Sequence, residues 1–353
     1  MENSIWLYRL YDVAEDFNLN KVQETLAKVK QTSRLKFTRV KPKSIIIENP
    51  PVSANIASID INLGRWSLKA NLTAKVYNMG AISLILKIIL PENISYNELK
   101  ELSIYLYSAE ETEEIFKNHL DNIKDLLSAN FKFFERKFHI EDFTLYYFHS
   151  WNKDWDPAPI LLAEKEPLSK QTTDETLHNS FSYGENDLTI ITWDSALVCD
   201  KEKSTDIPDI LEFALMELLE LRYYDDMLSQ AVDAMYEDVK KAGTFRWFLK
   251  LSRYREISKK LMHIVADISE ITEKIQNSLK VTEDVFYARV YASALNIFRT
   301  QNWSNSIQHK ISIIQRTYQM LSSEIENSNA TFLEAAIVFL IIIEIIISLF
   351  LLH

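Results

Sequence analysis

The sequence predicts an α+β domain, then a long helical coiled bundle, then one transmembrane helix. Three observations support this fold class. Apolar and polar residues alternate over 66–76, which is typical of a half-buried strand. From Ile207 onward, apolar residues recur with heptad spacing, as in a coiled bundle. Residues 332–352 form an apolar run in which Glu334 and Glu344 are the ionisable side chains.

The α+β domain is predicted over 1–200. Its alternating strand over 66–76 is expected to turn at Asn78-Met79-Gly80 into a second strand over 81–90, which Pro91 ends. The other elements predicted in this domain are helices at 96–107 and 110–137 and strands at 143–151 and 188–199. We expect the strands to form one sheet with helices on one face.

The helical bundle is predicted over 201–330. Its first seam is spaced alternately by four and three residues and comprises Ile207, Leu211, Ala214, Leu218, Leu221, Asp225, Leu228, Val232, Met235 and Val239. Gly243 is the expected end of this helix. Further seams begin at Tyr254 and Ile307, and the last helix is expected to continue into the apolar run. Such long seams favour an antiparallel bundle or an oligomer. The alternative is that they pack only against the α+β domain.

Asp225 occupies a seam position that neighbouring turns fill with leucine. A buried carboxylate has to be paired or neutralised. Arg222 lies about one helical turn earlier and is the expected partner. We interpret Asp225 as a polar position that sets the register of the bundle. The alternative is a contact to a partner protein or an ion.

Composition and motifs argue against an enzyme. The single cysteine, Cys199, excludes an internal disulfide and fits a reducing compartment. The net charge of −11 disfavours nonspecific attraction of the whole molecule to nucleic acid. The sequence has four glycines and contains no Walker loop, nucleophile elbow, Cys-x-x-Cys or metal-spaced histidine pair. We therefore predict no catalytic residues, no metal site and no cofactor, and no small-molecule substrate is evident.

The local charge reverses between residues 240 and 260, which we call the basic surface. Eight basic residues and one acid, Glu256, give this stretch a net charge of +7. The basic residues are Lys240, Lys241, Arg246, Lys250, Arg253, Arg255, Lys259 and Lys260, with Phe245, Trp247, Phe248 and Tyr254 interleaved. This composition suits RNA or a lipid headgroup surface, and the alternative is an ordinary solvated face. If the helices are antiparallel, the basic surface lies at the membrane-proximal end.

The apolar run over 332–352 is about 30 Å long as a helix, which matches the hydrocarbon core of a bilayer. The alternative is a core helix covered by a partner. Because the N-terminus lacks the features of a signal peptide, we expect a single-pass, tail-anchored protein whose bulk is cytoplasmic. Glu344 lies near the expected bilayer centre, where an ionised acid costs about 2.5–3.5 kcal/mol. It therefore suggests self-association or a membrane partner. Glu334 lies at the interface.

Several stretches resemble the required-for-meiotic-nuclear-division family, also called domain-of-unknown-function family 155 or YagE-like. They are KVYNMGAISLILKIILPENIS (75–95), NDLTIITWDSALVCD (186–200), LEFALMELLELRYYDDML (211–228), VFYARVYASAL (285–295) and LEAAIVFLIIIEIIISL (333–349). The resemblance implies an α+β domain, a helical hairpin and a C-terminal anchor. Mitochondrial relatives form oligomers in the inner membrane and support translation. The lack of a targeting peptide makes a bacterial inner membrane the expected location.

Two functions from different classes follow. The first is a membrane-anchored, non-enzymatic scaffold that self-associates and engages a cytoplasmic protein or ribonucleoprotein, with the translation machinery implied by the resemblance. The second is an enzyme or nucleotide-binding module with a site in the α+β domain. A deep polar pocket holding perturbed acids would favour the second, and an exposed apolar seam would favour the first.

Overall fold

The computed structural model describes residues 2–36, 45–47, 49–134, 139–243, 247–277, 279–281 and 285–351, with the side chains of 45–47, 242–250, 267–281 and 348–351 excluded. The strands are β1 (Ser4–Asp12), β2 (Thr32–Arg34), β3 (Ile45–Ile47), β4 (Val52–Leu63), β5 (Trp66–Val76), β6 (Ala81–Ile89), β7 (Ile140–Phe148), β8 (Ser180–Phe181), β9 (Leu188–Ile191), β10 (Ser195–Cys199) and β11 (Leu279–Val281). The helices are α1 (Leu19–Leu26), α2 (Tyr96–Tyr107), α3 (Glu110–Leu127), α4 (Ala158–Leu161), α5 (Lys170–Leu177), α6 (Asp206–Gly243), α7 (Trp247–Asn277), α8 (Val285–Ile297) and α9 (Thr300–Leu351).

Most of the described strands form one nine-stranded sheet in the order β2-β4-β5-β6-β1-β7-β10-β9-β8. Neighbouring strands in this sheet pair antiparallel, except that β7 and β10 are parallel. β3 and β11 pair separately. The strand nearest the N-terminus, β1, therefore lies at the centre of the sheet. This architecture confirms the predicted α+β class.

One face of the sheet packs against α1, α2 and α3. Leu72 of β5 contributes to this core together with Val22 of α1, Leu102 of α2 and Phe116 of α3, each 0–1% exposed. The helices start where the sequence provides caps. The hydroxyl of Ser95 accepts a hydrogen bond from the backbone N–H of Glu98, whose carboxylate accepts one from the N–H of Ser95. This capping box fixes the first turn of α2.

The opposite face of the sheet is partly covered by the first half of α6, so the expectation of helices on one face was wrong. The rings of Tyr77 and Phe213 make an edge-to-face contact with centroids 5.6 Å apart. The Tyr147 hydroxyl donates a hydrogen bond to the carbonyl of Ser204, just before the helix. The side chains of Lys69 and Lys75 share this face of β5, yet Lys69 is exposed and Lys75 is buried. The buried end of β5 therefore lies beneath α6.

The elements with strong periodicity match their predictions. β5 and α2 have the predicted bounds, and β6 ends one residue early at Ile89.

Two other elements differ from their predictions. The predicted helix over 110–137 ends at Leu127. The predicted strand over 188–199 is a hairpin, because Ser195 N–H donates to the Thr192 hydroxyl and Thr192 N–H donates to the Ser195 carbonyl.

The chain divides into two compact units. The sheet unit comprises Met1–Tyr223 and Ile275–Asn302, and the helical unit comprises Tyr224–Lys274 and Trp303–His353. The first seam is shared between them: its residues up to Leu221 are buried in the sheet unit, and Leu228 and Met235 are buried in the helical unit. The finer division at 200/201 and 330/331 remains a prediction.

Gly80 holds the tight turn between β5 and β6. It adopts a φ of +92°, and its carbonyl accepts hydrogen bonds from the N–H groups of Val13 and Ala14. An added Cβ would lie 1.9 Å from the Ala14 carbonyl oxygen. We therefore expect Gly80→Ala to lower the free energy of unfolding by at least about 2 kcal/mol. Urea denaturation in mild detergent measures this. The matched control, Gly184→Ala, meets only ordinary van der Waals contact and should change little.

Candidate functional site

The second half of α9 exposes a continuous apolar surface. The described part of the chain has this one helix long and apolar enough to cross a membrane, judged by length and composition. Eleven large apolar side chains between Phe332 and Ile347 are each 49–63% exposed. Such a surface on a water-soluble monomer would be unfavourable, because apolar area in contact with water opposes folding and solubility. Glu334 and Glu344 are both exposed on this helix.

From Trp303 onward, α9 belongs to the helical unit, where its first half is packed. Ile307, Ile314 and Leu321 of its predicted seam are 0% exposed. On α7, the seam residues Tyr254 and Ile257 are buried as well. No proline interrupts α9, which runs unbroken from Thr300 to Leu351. The apolar surface is therefore a continuation of a helix that also forms the bundle, as the sequence predicted.

Asp225 is half-buried in the helical unit, where it pairs with Lys310 of α9. The Lys310 Nζ donates to the Asp225 carboxylate at 2.5 Å and to the Asp225 carbonyl at 3.0 Å. The expected partner, Arg222, instead donates to the Glu141 carboxylate of β7. The expectation of an Arg222–Asp225 pair was wrong because the cation that reaches Asp225 comes from a different helix. A register-setting role for Asp225 stays a prediction, which its pairing between two helices supports.

The basic surface is exposed where it is described. The exposed members are Lys240, Lys241, Arg253, Arg255, Lys259 and Lys260. Arg246 lies outside the described residues, and the side chain of Lys250 is outside them too. The Arg253 guanidinium donates to Glu256 at 2.7 Å, and that of Arg255 donates to the Asn329 side-chain carbonyl at 3.4 Å. Since Asn329 is in α9 just before the exposed apolar surface, part of the basic surface lies beside the start of that surface.

The sheet unit contains a buried ionic cluster that sequence reasoning missed. The Lys75 ammonium donates to the Asp209 carboxylate at 2.7 Å and also to the Glu212 carboxylate, and all three residues are at most 6% exposed. The hydroxyl of Thr205 donates to the other Asp209 oxygen at 3.1 Å. These contacts join β5 to the first turns of α6. The cluster therefore fixes the start of the long helix on the sheet.

Burial and charge perturb the groups in this cluster. Burial lowers the pKa of Lys75, but the two carboxylates outweigh it and the pKa is raised. Burial raises the pKa of Asp209 although Lys75 opposes it. Burial, and then the Glu212 carboxylate, raises the pKa of the Tyr8 and Tyr77 hydroxyls. All of these groups are buried, so the cluster is an enclosed ionic centre.

Glu141 provides a pH-dependent contact. Burial raises its pKa to about 7, against the opposing effect of Arg222. Because this pKa lies above the ordinary value of 4.5, the folded state holds the Glu141 proton more tightly than the unfolded state does. The stability that this difference contributes is fully present below pH 4.5 and is lost as the pH rises through 7. We expect Glu141→Gln to flatten the stability–pH curve by up to about 1.4 kcal/mol per pH unit across this window. Urea titrations at several pH values measure this, and identical slopes in both proteins would contradict it.

One cavity of the sheet unit contains acidic side chains and the cysteine. It has a volume of about 220 Å³ and is lined by Tyr183, Asp187, Asp200, Glu202 and Phe286, among others. Its cysteine, Cys199, is a poor nucleophile at neutral pH, since burial raises the thiol pKa to about 11. Other acids with a raised pKa, such as the buried Asp209 and the half-buried Glu217, do not line this cavity.

Lys87 is a perturbed amine that lines a surface depression. Burial, and then the charge of Lys75, lowers its pKa to about 8. Its ammonium lies 3.7 Å above the ring centre of Trp6, which is a cation–π contact. The depression is also lined by polar side chains that include Asn55 and Asn71. This depression is open, and it contains none of the perturbed acids that the enzyme hypothesis requires.

Comparison with known proteins identifies the relatives of this chain. The family model described as "Uncharacterized protein MJ0711, N-terminal domain" matches residues 2–205. A protein from Methanocaldococcus jannaschii, described as "Uncharacterized protein MJ0711", is 28% identical over 276 residues, which cover 71% of this chain and 83% of that protein. No solved structure matches the chain.

These matches show that the resemblance to the required-for-meiotic-nuclear-division family was wrong. Its most specific element was the leucine-glutamate-led apolar run after a long helix (333–349), and apolar helices of bilayer length have a similar composition in unrelated proteins. The family match instead covers residues 2–205, where the nine-stranded sheet lies. The role in translation and the location that the resemblance implied lose their basis. The chain belongs to the family defined by the N-terminal domain of protein MJ0711.

Proposed function

We propose that this protein is a membrane-anchored, non-enzymatic scaffold. In this proposal residues 332–352 cross a bilayer, and residues 1–330 remain on its cytoplasmic side to engage a partner protein. The observation that supports it most is the exposed apolar surface of α9, which continues a helix of the bundle. Exposing these apolar side chains is favourable when the hydrocarbon of a bilayer surrounds them.

Fractionation of the full-length chain tests the anchor. We expect the protein to sediment with membranes, to resist extraction by alkaline carbonate, and to be released by mild detergent. A peripheral protein would be released by carbonate. Recovery of the full-length chain as a detergent-free monomer in the supernatant would refute the proposal.

Self-association is the second part of the proposal, and it rests on Glu344. An ionised carboxylate near the bilayer centre costs about 2.5–3.5 kcal/mol, and burial against another helix is one way to reduce that cost. We expect Glu344→Leu to lower the yield of crosslinked oligomers in membranes. The matched control is Glu334→Leu, whose carboxylate lies at the interface and should leave the yield unchanged. Equal yields for the wild type and Glu344→Leu would exclude this role of Glu344.

A further inference from the structure

Three lysines on one face of the sheet have very different surroundings. Lys75 is buried against two carboxylates, and the exposed Lys69 lies directly opposite Asp60 of β4. Within the described part of the chain, the half-buried ammonium of Lys87 has no hydrogen bond and no ion pair, and it contacts the ring of Trp6. Because a partly desolvated cation without an acceptor is unfavourable, this position favours the neutral amine.

Lys87 lies in a row of side chains that crosses four neighbouring strands. It pairs with Asn71 of β5 on one side and with Trp6 of β1 on the other, and Ser58 of β4 lies opposite Asn71. The Ser58 hydroxyl donates to the side-chain oxygen of Asn71 at 2.6 Å, so the amide N–H groups of Asn71 remain available as donors. Side chains directly opposite each other have Cβ atoms about 4.5–5.5 Å apart. The amine of Lys87 and the amide of Asn71 therefore border the same space.

That space is a surface depression of about 570 Å³. Its polar lining, apart from Lys87, consists of uncharged amides and hydroxyls, which can bind the hydroxyl groups of a ligand: Asn55, Ser58, Asn71 and Thr73. The titratable groups on the elements around Lys87 are of both signs: Lys69 and Asp60, Lys75 with Asp209 and Glu212, the phenol of Tyr8, and Glu2 in an adjoining depression. Since an anionic ligand would meet several carboxylates here, an uncharged, hydroxylated ligand fits better.

The surroundings of Lys87 also make its amine a nucleophile. Burial, and then the charge of Lys75, lowers its pKa to about 8, although Asp209 and Glu212 oppose this change. Relative to the ordinary value of 10.5, the neutral fraction at pH 7 rises by about two orders of magnitude. Desolvation and a neighbouring cation are the conditions under which a lysine attacks carbonyl carbons.

We propose that Lys87 forms a reversible imine with a small, uncharged, hydroxylated aldehyde that binds in this depression. The lone pair of the neutral amine forms a bond to the carbonyl carbon, and the carbonyl oxygen takes up the proton that the nitrogen releases. Loss of the resulting hydroxyl group as water, with the second amine proton, gives the C=N bond. Hydrolysis reverses the step, so no oxidant or reductant is consumed. Because all of these residues lie in the sheet unit, the binding does not depend on the proposed membrane anchor.

Reductive trapping on the full-length chain in mild detergent tests this proposal. Glyceraldehyde is the hydroxylated probe, propanal is the probe without hydroxyl groups, cyanoborohydride reduces the imine, and mass spectrometry measures the alkylation of each lysine. With glyceraldehyde at pH 7, we expect Lys87 to react at least about tenfold faster than Lys69. The rate at Lys87 should reach half of its limiting value near pH 8. The preference for glyceraldehyde over propanal should be severalfold greater at Lys87 than at Lys69.

Substitutions on the same face separate binding from nucleophilicity alone. Asn71→Leu should remove the preference of Lys87 for glyceraldehyde while the pH midpoint stays in place. The matched control, Asn62→Leu, changes an exposed asparagine of β4 outside the depression and should preserve the preference. Equal rates at Lys87 and Lys69 would overturn the proposal. An equal preference for the two probes at both lysines would overturn it as well, because the amine would then react without a binding site.

Discussion

The Lys75→Ala variant is expected to lose about 3–5 kcal/mol of unfolding free energy, because it leaves two carboxylates without their cation in a buried site. Lys75 contacts both Asp209 and Glu212, which are 4% and 0% exposed. Protonation of one carboxylate can relieve part of the loss, so the variant should be more stable at low pH relative to the wild type than at neutral pH. Urea denaturation in mild detergent measures both effects.

Lys69→Ala is the matched control for this prediction. Lys69 lies on the same strand and the same face as Lys75, but it is exposed. We expect its loss to change stability by no more than about 0.5 kcal/mol. Combining Lys75→Ala with Asp209→Asn should cost less than the sum of the single changes, because the second change removes a charge that the first leaves unpaired. Strict additivity would contradict the ionic coupling.

The second large effect is expected at the apolar surface of α9. Ile341→Arg combined with Ile345→Arg places two charges about one turn apart near the expected bilayer centre. Insertion scales assign about 2.5–3.5 kcal/mol to each arginine at that depth, so the pair opposes insertion by about 5–7 kcal/mol. We expect the variant chain to leave the carbonate-resistant membrane fraction.

The control combines Met320→Arg with Tyr236→Arg. Both residues are exposed apolar side chains of the helical unit, at 54% and 55%, and both lie outside the expected span. The control should stay in the carbonate-resistant fraction. If both double variants fractionate alike, the charge of the span has no special role and the anchor assignment fails.

The sequence pattern predicted β5, whose burial is one-sided, but it missed β4, whose alternation changes phase at a bulge between Asn55 and Ala57. β5 alternates because helices α1 to α3 cover one face and the other is partly solvated. β1 was missed for the opposite reason. Eight of its nine residues are buried, since β1 lies between β6 and β7 with both faces covered, and such a strand has no alternation to detect.

The site residues were less accessible to sequence reasoning. Lys75 and Asp209 are separated by 134 positions, and nothing local distinguishes Lys75 from the exposed lysine at 69. Asp225 was recognised because it interrupts a seam, but its partner Lys310 lies 85 residues away on another helix. Interruptions in an apolar pattern mark buried charges, whereas the identity of the partner depends on tertiary packing.

Spin-label depth measurement on the full-length chain tests the central claim, namely that hydrocarbon surrounds the apolar part of α9. Cys199 is the only cysteine, so a Cys199→Ser background accepts single cysteines at positions from Ile337 to Ile347. In reconstituted bilayers, labels there should be accessible to oxygen and shielded from a water-soluble nickel complex, with the greatest depth near Ile341 and Ile342. Full accessibility of these labels to the nickel complex would contradict the membrane anchor and the scaffold built upon it.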